Sequence, residues 1–168
     1  AFTTEAAVVS TATATVEFEK YYNGSELYAI DDVTYKNYNN KAYLPAKVLH
    51  SADAVKWYTL YTGTDVGDTE LYTDDLLIQY LVTQGTPDGE ERRYGLTWNA
   101  KAYILAVAQD AEGHYGPVFR KSITPSLSGV SPISDLGFVT ADAGTQSTPV
   151  MLRAVTPAAP LKRTAHVV

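Results

Sequence analysis

The chain has 168 residues, 45% of them apolar, with 19 acidic against 13 basic side chains and no cysteine. That length suits one core-forming domain with tails, the net charge of −6 sets it against phosphate backbones and so against nucleic-acid partners, and the missing cysteines exclude disulfides, thiolate metal sites and a cysteine nucleophile. No run of about 18 apolar residues occurs, so no membrane-spanning helix is encoded.

Residues 1–11, small and rich in Thr and Ala, read as a leading linker or strand. They show neither an initiator Met nor a basic-then-apolar leader, as expected if a signal has been removed or the chain starts inside a longer one. From Thr13, the alternation of Thr13, Thr15 and Glu17 against Ala14, Val16 and Phe18 predicts a strand toward Tyr22. Asn23-Gly24 then signals a hairpin turn. Residues 31–41 are polar and tyrosine-studded, an irregular connection with one short helical turn. Ala42–His50 reads as a strand in which Pro45 marks an edge, a start or a bulge. Val55–Tyr61 is apolar on both faces, the signature of a central strand covered on two sides.

Thr73 as N-cap, Asp74 and Asp75 in the first turn and Gly85 at the far end predict one helix over about 73–84. Its apolar face carries Leu76, Leu77, Tyr80 and Leu81. Thr86-Pro-Asp-Gly89 is a turn, followed by a strand near Arg92–Trp98. Tyr103–Gln109 alternates into Asp110-Ala-Glu-Gly113, and a strand restarts at Val118 and runs to about Thr124: a hairpin, with Tyr103 where a sandwich places its corner tyrosine. After Pro125 the texture becomes linker-like. Residues 126–168 read as an extended arm lying on the sandwich or as the start of a neighbouring module, with a strand at Val150–Val155. The predicted fold is therefore mostly β: an immunoglobulin/fibronectin-III-like antiparallel β-sandwich over 12–125 with one short inserted helix.

Several segments occur in a familiar order: Tyr21-Tyr-Asn-Gly-Ser-Glu-Leu-Tyr28, Lys41-Ala-Tyr-Leu-Pro-Ala-Lys47, Lys56-Trp-Tyr58, the Tyr72–Gln84 helix and Asp110-Ala-Glu-Gly-His-Tyr-Gly-Pro117. Over residues 12–125 the chain resembles the fibronectin-type-III-like modules of secreted or lipid-anchored Bacteroidetes envelope proteins, in which a helix is inserted between sandwich strands. That resemblance implies an extracytoplasmic location and a helper, spacer or adhesive role, with other envelope proteins or glycans as partners. It carries over no catalytic residues and no cofactor. A lipobox cysteine, which anchored members show, is not in this sequence.

Candidate chemistry is sparse. His50, His114 and His166 lack metal-ligand spacing and read as surface histidines. No G-x-S-x-G elbow is present, so no serine nucleophile is indicated. Asp65, Asp68 and Glu70, with Asp74 and Asp75, form the best oxygen-rich cluster and are the calcium candidates, although Asp74 and Asp75 already serve the helix start. Glu17 and Glu19 read as a solvated strand face, and Glu90-Glu-Arg-Arg93 as a charged strand entrance. Trp57 and Trp98 are expected in core packing. Tyr35, Tyr38 and Tyr115 lie in predicted loops and are the candidate ligand-binding residues, a platform for a sugar ring or a partner protein. These readings favour a non-enzymatic binding or spacer module, with a carbohydrate-binding module as the alternative.

Overall fold

The computed structural model describes residues 9–136, 144–146 and 150–152. In chain order the elements are β1 (Ala14–Glu17), β2 (Tyr22–Asn23), α1 (Gly24–Ile30), β3 (Ala42–His50), β4 (Lys56–Thr62), α2 (Asp74–Gln84), β5 (Thr86–Pro87), β6 (Glu91–Leu96), β7 (Ala102–Gln109), β8 (Phe119–Ile123) and β9 (Gly144–Gln146). The first sheet runs β1-β3-β6-β9 with β2 also on β3, and the second runs β5-β4-β7-β8. Every pairing among β1 to β8 is antiparallel, and the two sheets stack as the expected sandwich.

The strand alternation explains the layers. Val16, Leu44, Val48, Tyr94 and Leu96 of the first sheet meet Tyr61, Ile104, Ala106 and Ala108 of the second in one buried core. β4 and β7 carry a second apolar row, with Leu60, Leu105 and Val107 fully buried, against Leu77, Tyr80 and Leu81 of α2. These two strands are therefore covered on both faces, and α2 is the layer that covers them. Each fully buried leucine contributes about 2 kcal/mol, so α2 is held by packing more than by propensity. Thr73 caps it by accepting the Leu76 N–H, and Arg120 of β8 clamps its first turn through Asp74 at 2.8 Å. Among the described residues no helix is long and apolar enough to cross a membrane.

Two local expectations need correction. Among the described residues there are two short α-helices where one was expected, and the additional one, α1, stands where a hairpin turn was expected: Asn23 caps it by accepting the Ser25 N–H at 3.0 Å. Asparagine suits a turn and a helix cap alike, and here the cap prevails. Gly24 is required by close approach, since a Cβ there would collide with the Tyr38 and Lys41 carbonyls. The second correction concerns the first strand. Glu17 pairs with Lys47 and Tyr22 with Tyr43, so four residues (18–21) oppose three (44–46), a one-residue bulge facing Pro45. Proline, with no N–H to offer a ladder, sits where the partner strand lifts away.

The segment after Pro125 continues on the sandwich. Short 3-10 turns at Leu127–Gly129 and Ile133–Leu136 follow, and Ile133 and Leu136 pack on a tyrosine cluster outside the first sheet. Gly144–Gln146 adds a parallel strand to β6, where none was predicted. Of the strand expected at Val150–Val155, Val150 makes an isolated parallel bridge to Thr62, and residues 153–155 lie outside the described residues.

Candidate functional site

The three predicted binding tyrosines separate. Tyr35 and Tyr38, expected to face a ligand, are 6% and 2% exposed and belong to a buried cluster with Tyr22, Leu27 and Tyr43. Their rings meet Tyr43 edge-on, at 5.4 Å and 4.7 Å between centroids. α1 and the 3-10 turn Lys36–Tyr38 fold the connection back over the outer face of the first sheet, which turns these loop tyrosines inward. Burial raises the Tyr35 phenol above its ordinary pKa. It pushes Tyr43 up to about 12 although the Arg93 guanidinium beside it favours the phenolate. Tyr115 is half-buried against the α2-side core, and its carbonyl accepts the Ser10 N–H at 3.0 Å.

The acidic candidates are occupied by the backbone. Asp65 accepts the Gly67 N–H at 3.1 Å and faces Lys101, and Asp68 accepts the Glu70 and Leu71 N–H groups. Glu70 is exposed, and among the described residues no group of three or more His, Asp or Glu side chains is placed to hold a metal ion. His50 stacks on Trp57 at 3.8 Å, and the Trp57 indole donates to the Gly89 carbonyl at 2.8 Å. Trp57 and Trp98 both pack against the inter-sheet core, as expected. His114 lies in the β7–β8 turn, and His166 lies outside the described residues.

The charged entrance at 90–93 is only half correct. Glu90 and Glu91 are exposed, whereas Arg92 and Arg93 are 3% and 6% exposed. Arg92 points into the sandwich, where its Nε donates to Thr59 Oγ1 at 2.7 Å and its terminal nitrogens donate to the Glu91, Thr86 and Asp88 carbonyls. It stitches β6 to β4 and to the turn after α2. Arg93 points the other way, toward the tyrosine cluster.

Beside the bulge lies a groove of about 680 Å³, lined from β3 and β6 of the first sheet and by Phe18 and, from β8 of the second sheet, Lys121. Pro45 and Tyr43 line its floor, and Glu17, Glu19, Lys47 and Glu91 its rim. The register places Glu17, Lys47 and Glu91 side by side on β1, β3 and β6, a row of alternating sign across the sheet. At the rim, Lys121 lies 4.5 Å over the Phe18 ring. Amines and carboxylates set around a small apolar floor suit recognition of another polar, charge-bearing surface. Sequence reading missed the groove because it arises from a register mismatch between strands far apart in the chain. Pro45 is the one residue that signals it. Comparison with known protein families, with curated proteins and with solved structures finds no match.

Proposed function

We propose that this chain is a non-catalytic β-sandwich module of a cell-envelope protein, working outside the cytoplasm as a spacer and protein-interaction domain, of the fibronectin-III-like kind borne by secreted or lipid-anchored Bacteroidetes proteins. The observation that carries this reading is the path of the chain. Ser10 is tied to Asp110 and Tyr115, at the end of the sandwich where β3 finishes and β4 begins. Leu152 is tied to Thr64, just past the opposite end of β4. Among the described residues, the first and last contacts thus lie at opposite ends of the sandwich, a geometry suited to modules joined end to end. A core that needs no cysteine supports the extracytoplasmic location, and the charged groove supports a protein partner.

Of the proposed glycan platform, Tyr115 alone remains partly accessible, so protein interaction is the stronger reading. The test is retention of solubilised envelope proteins on the immobilised chain. Lys47→Gln, which removes the amine without lining up three carboxylates, should reduce retention about tenfold with a melting temperature close to the parent's. Unchanged retention, or glycan-array binding lost in Tyr115→Ala, would displace this reading.

A further inference from the structure

We propose that the open half of the first sheet's outer face docks a helix of a partner protein, laid across β1, β3 and β6 and carrying a basic, an acidic and a basic side chain in a row. The proposal supplies the partner chemistry for the groove's rim and rests on the protein-interaction reading. Glu17, Lys47 and Glu91 stand directly opposite one another on those three strands. Their chain neighbours Val16, Val48 and Arg92 turn inward, so the three charged side chains point away from the core, and all three are exposed. Among the described residues none of the three makes an ion pair or a side-chain hydrogen bond, with one another or with any other group. Pro45 and Leu49 flank Lys47 on the same face of β3, the first half-buried and the second 45% exposed. Beyond Pro45 the face is closed by the tyrosine cluster that includes Leu27 of α1.

The spacing selects the partner's secondary structure. Neighbouring strands lie about 4.8 Å apart, so the three charges span about 10 Å across the sheet. On a helix, residues i, i+4 and i+7 share one face and together rise about 10.5 Å, since each residue adds about 1.5 Å. An extended segment spreads three same-face residues over about 13 Å and misses the register. A helix is also about 10 Å wide, and Pro45 and Leu49 lie about 7 Å to either side of Lys47, so its flanks reach both. The signs fix the rest. Lys or Arg at the two ends of the row meets Glu17 and Glu91, and Asp or Glu at its middle meets Lys47. The inverted pattern would set like charges together three times, which is how such a face discriminates between partners.

The probes are two labelled, alanine-based helical peptides of about 18 residues with leucines flanking the charged row. One carries Lys, Glu and Lys at i, i+4 and i+7, and the other carries Glu, Lys and Glu. Fluorescence anisotropy against the full chain at low salt should show the first binding at least about tenfold more tightly, with the difference gone at about 1 M salt. The variant Glu17→Lys, Lys47→Glu, Glu91→Lys keeps the alternation and should exchange the preference. Circular dichroism checks its fold. If it does not fold, Glu17→Gln, Lys47→Gln, Glu91→Gln replaces it and should bind the two peptides equally. No binding of the first peptide up to millimolar concentration, equal binding of the two by the parent chain, or a variant that keeps the parent's preference overturns the proposal. Envelope proteins still retained by the parent chain, and less so by Lys47→Gln, would leave the protein-interaction reading standing after that result.

Discussion

Arg92 and Arg93 are neighbours in sequence with opposite destinations, because successive residues of a strand face opposite sides of its sheet. Arg92 alone donates to one hydroxyl and three carbonyls in the interior. A lysine has no fork to reach them together. Arg92→Lys should therefore cost about 2 kcal/mol and Arg92→Leu about 3 kcal/mol, read as lower denaturant midpoints. A Leu variant as stable as the parent would contradict this account. Composition alone made residues 90–93 read as solvated, since nothing local shows that four oxygens converge on one guanidinium. Asp53 and Asp110 act at the surface in a similar way. Asp110 accepts from Ser10, Glu112 and His114, and Asp53 from Thr11 and Ser51. Side-chain hydrogen bonds, from Ser51 to Asp53 and from Ser10 to Asp110, lead in holding both carboxyls below the ordinary aspartate value of 3.8. A lowered folded-state value means stability that is present above the ordinary value and lost as pH falls through the folded one. Melting temperature should drop below about pH 4, less steeply in the Asp53→Asn, Asp110→Asn double variant.

At the scale of elements, alternation and capping made most of the fold legible. β3 spans the predicted residues, and α2 begins one residue after its predicted cap. α1 was hidden because Asn-Gly is ambiguous between turn and cap, and only the backbone of 38–41 passing over Gly24 explains that glycine. These two helix starts therefore differ in what they tolerate. Thr73→Ala removes one capping acceptor and should cost about 1 kcal/mol. Gly24→Ala must move the backbone of a neighbouring segment and also break the Gly24 N–H bond to the Lys41 carbonyl, so it should cost more, about 2 to 3 kcal/mol. Equal losses in the two variants would show that Gly24 serves α1 only as an ordinary first-turn residue.

At the scale of the whole molecule, the loop tyrosines show where sequence reading stops. Tyr35 and Tyr38 look like surface residues until α1 and the 3-10 turn close over the first sheet, a long-range event with no local signature. The same burial makes an alkaline titration a report on assembly. Tyr43 lies outside the first sheet and Tyr94 between the sheets, yet burial pushes each phenol up to about 12 from an ordinary 10.0. Phenols with a raised folded-state pKa stabilise the fold fully below pH 10, and that contribution is lost as pH rises toward 12, because the unfolded chain ionises first. Tyr43→Phe removes one of the most strongly raised phenols and should move the alkaline unfolding midpoint upward. Phenolate absorbance and far-ultraviolet circular dichroism, followed together across that range, should show the last tyrosines ionising as the strand signal collapses. Ionisation of every tyrosine with the sheets still intact would mean that neither cluster is closed to solvent.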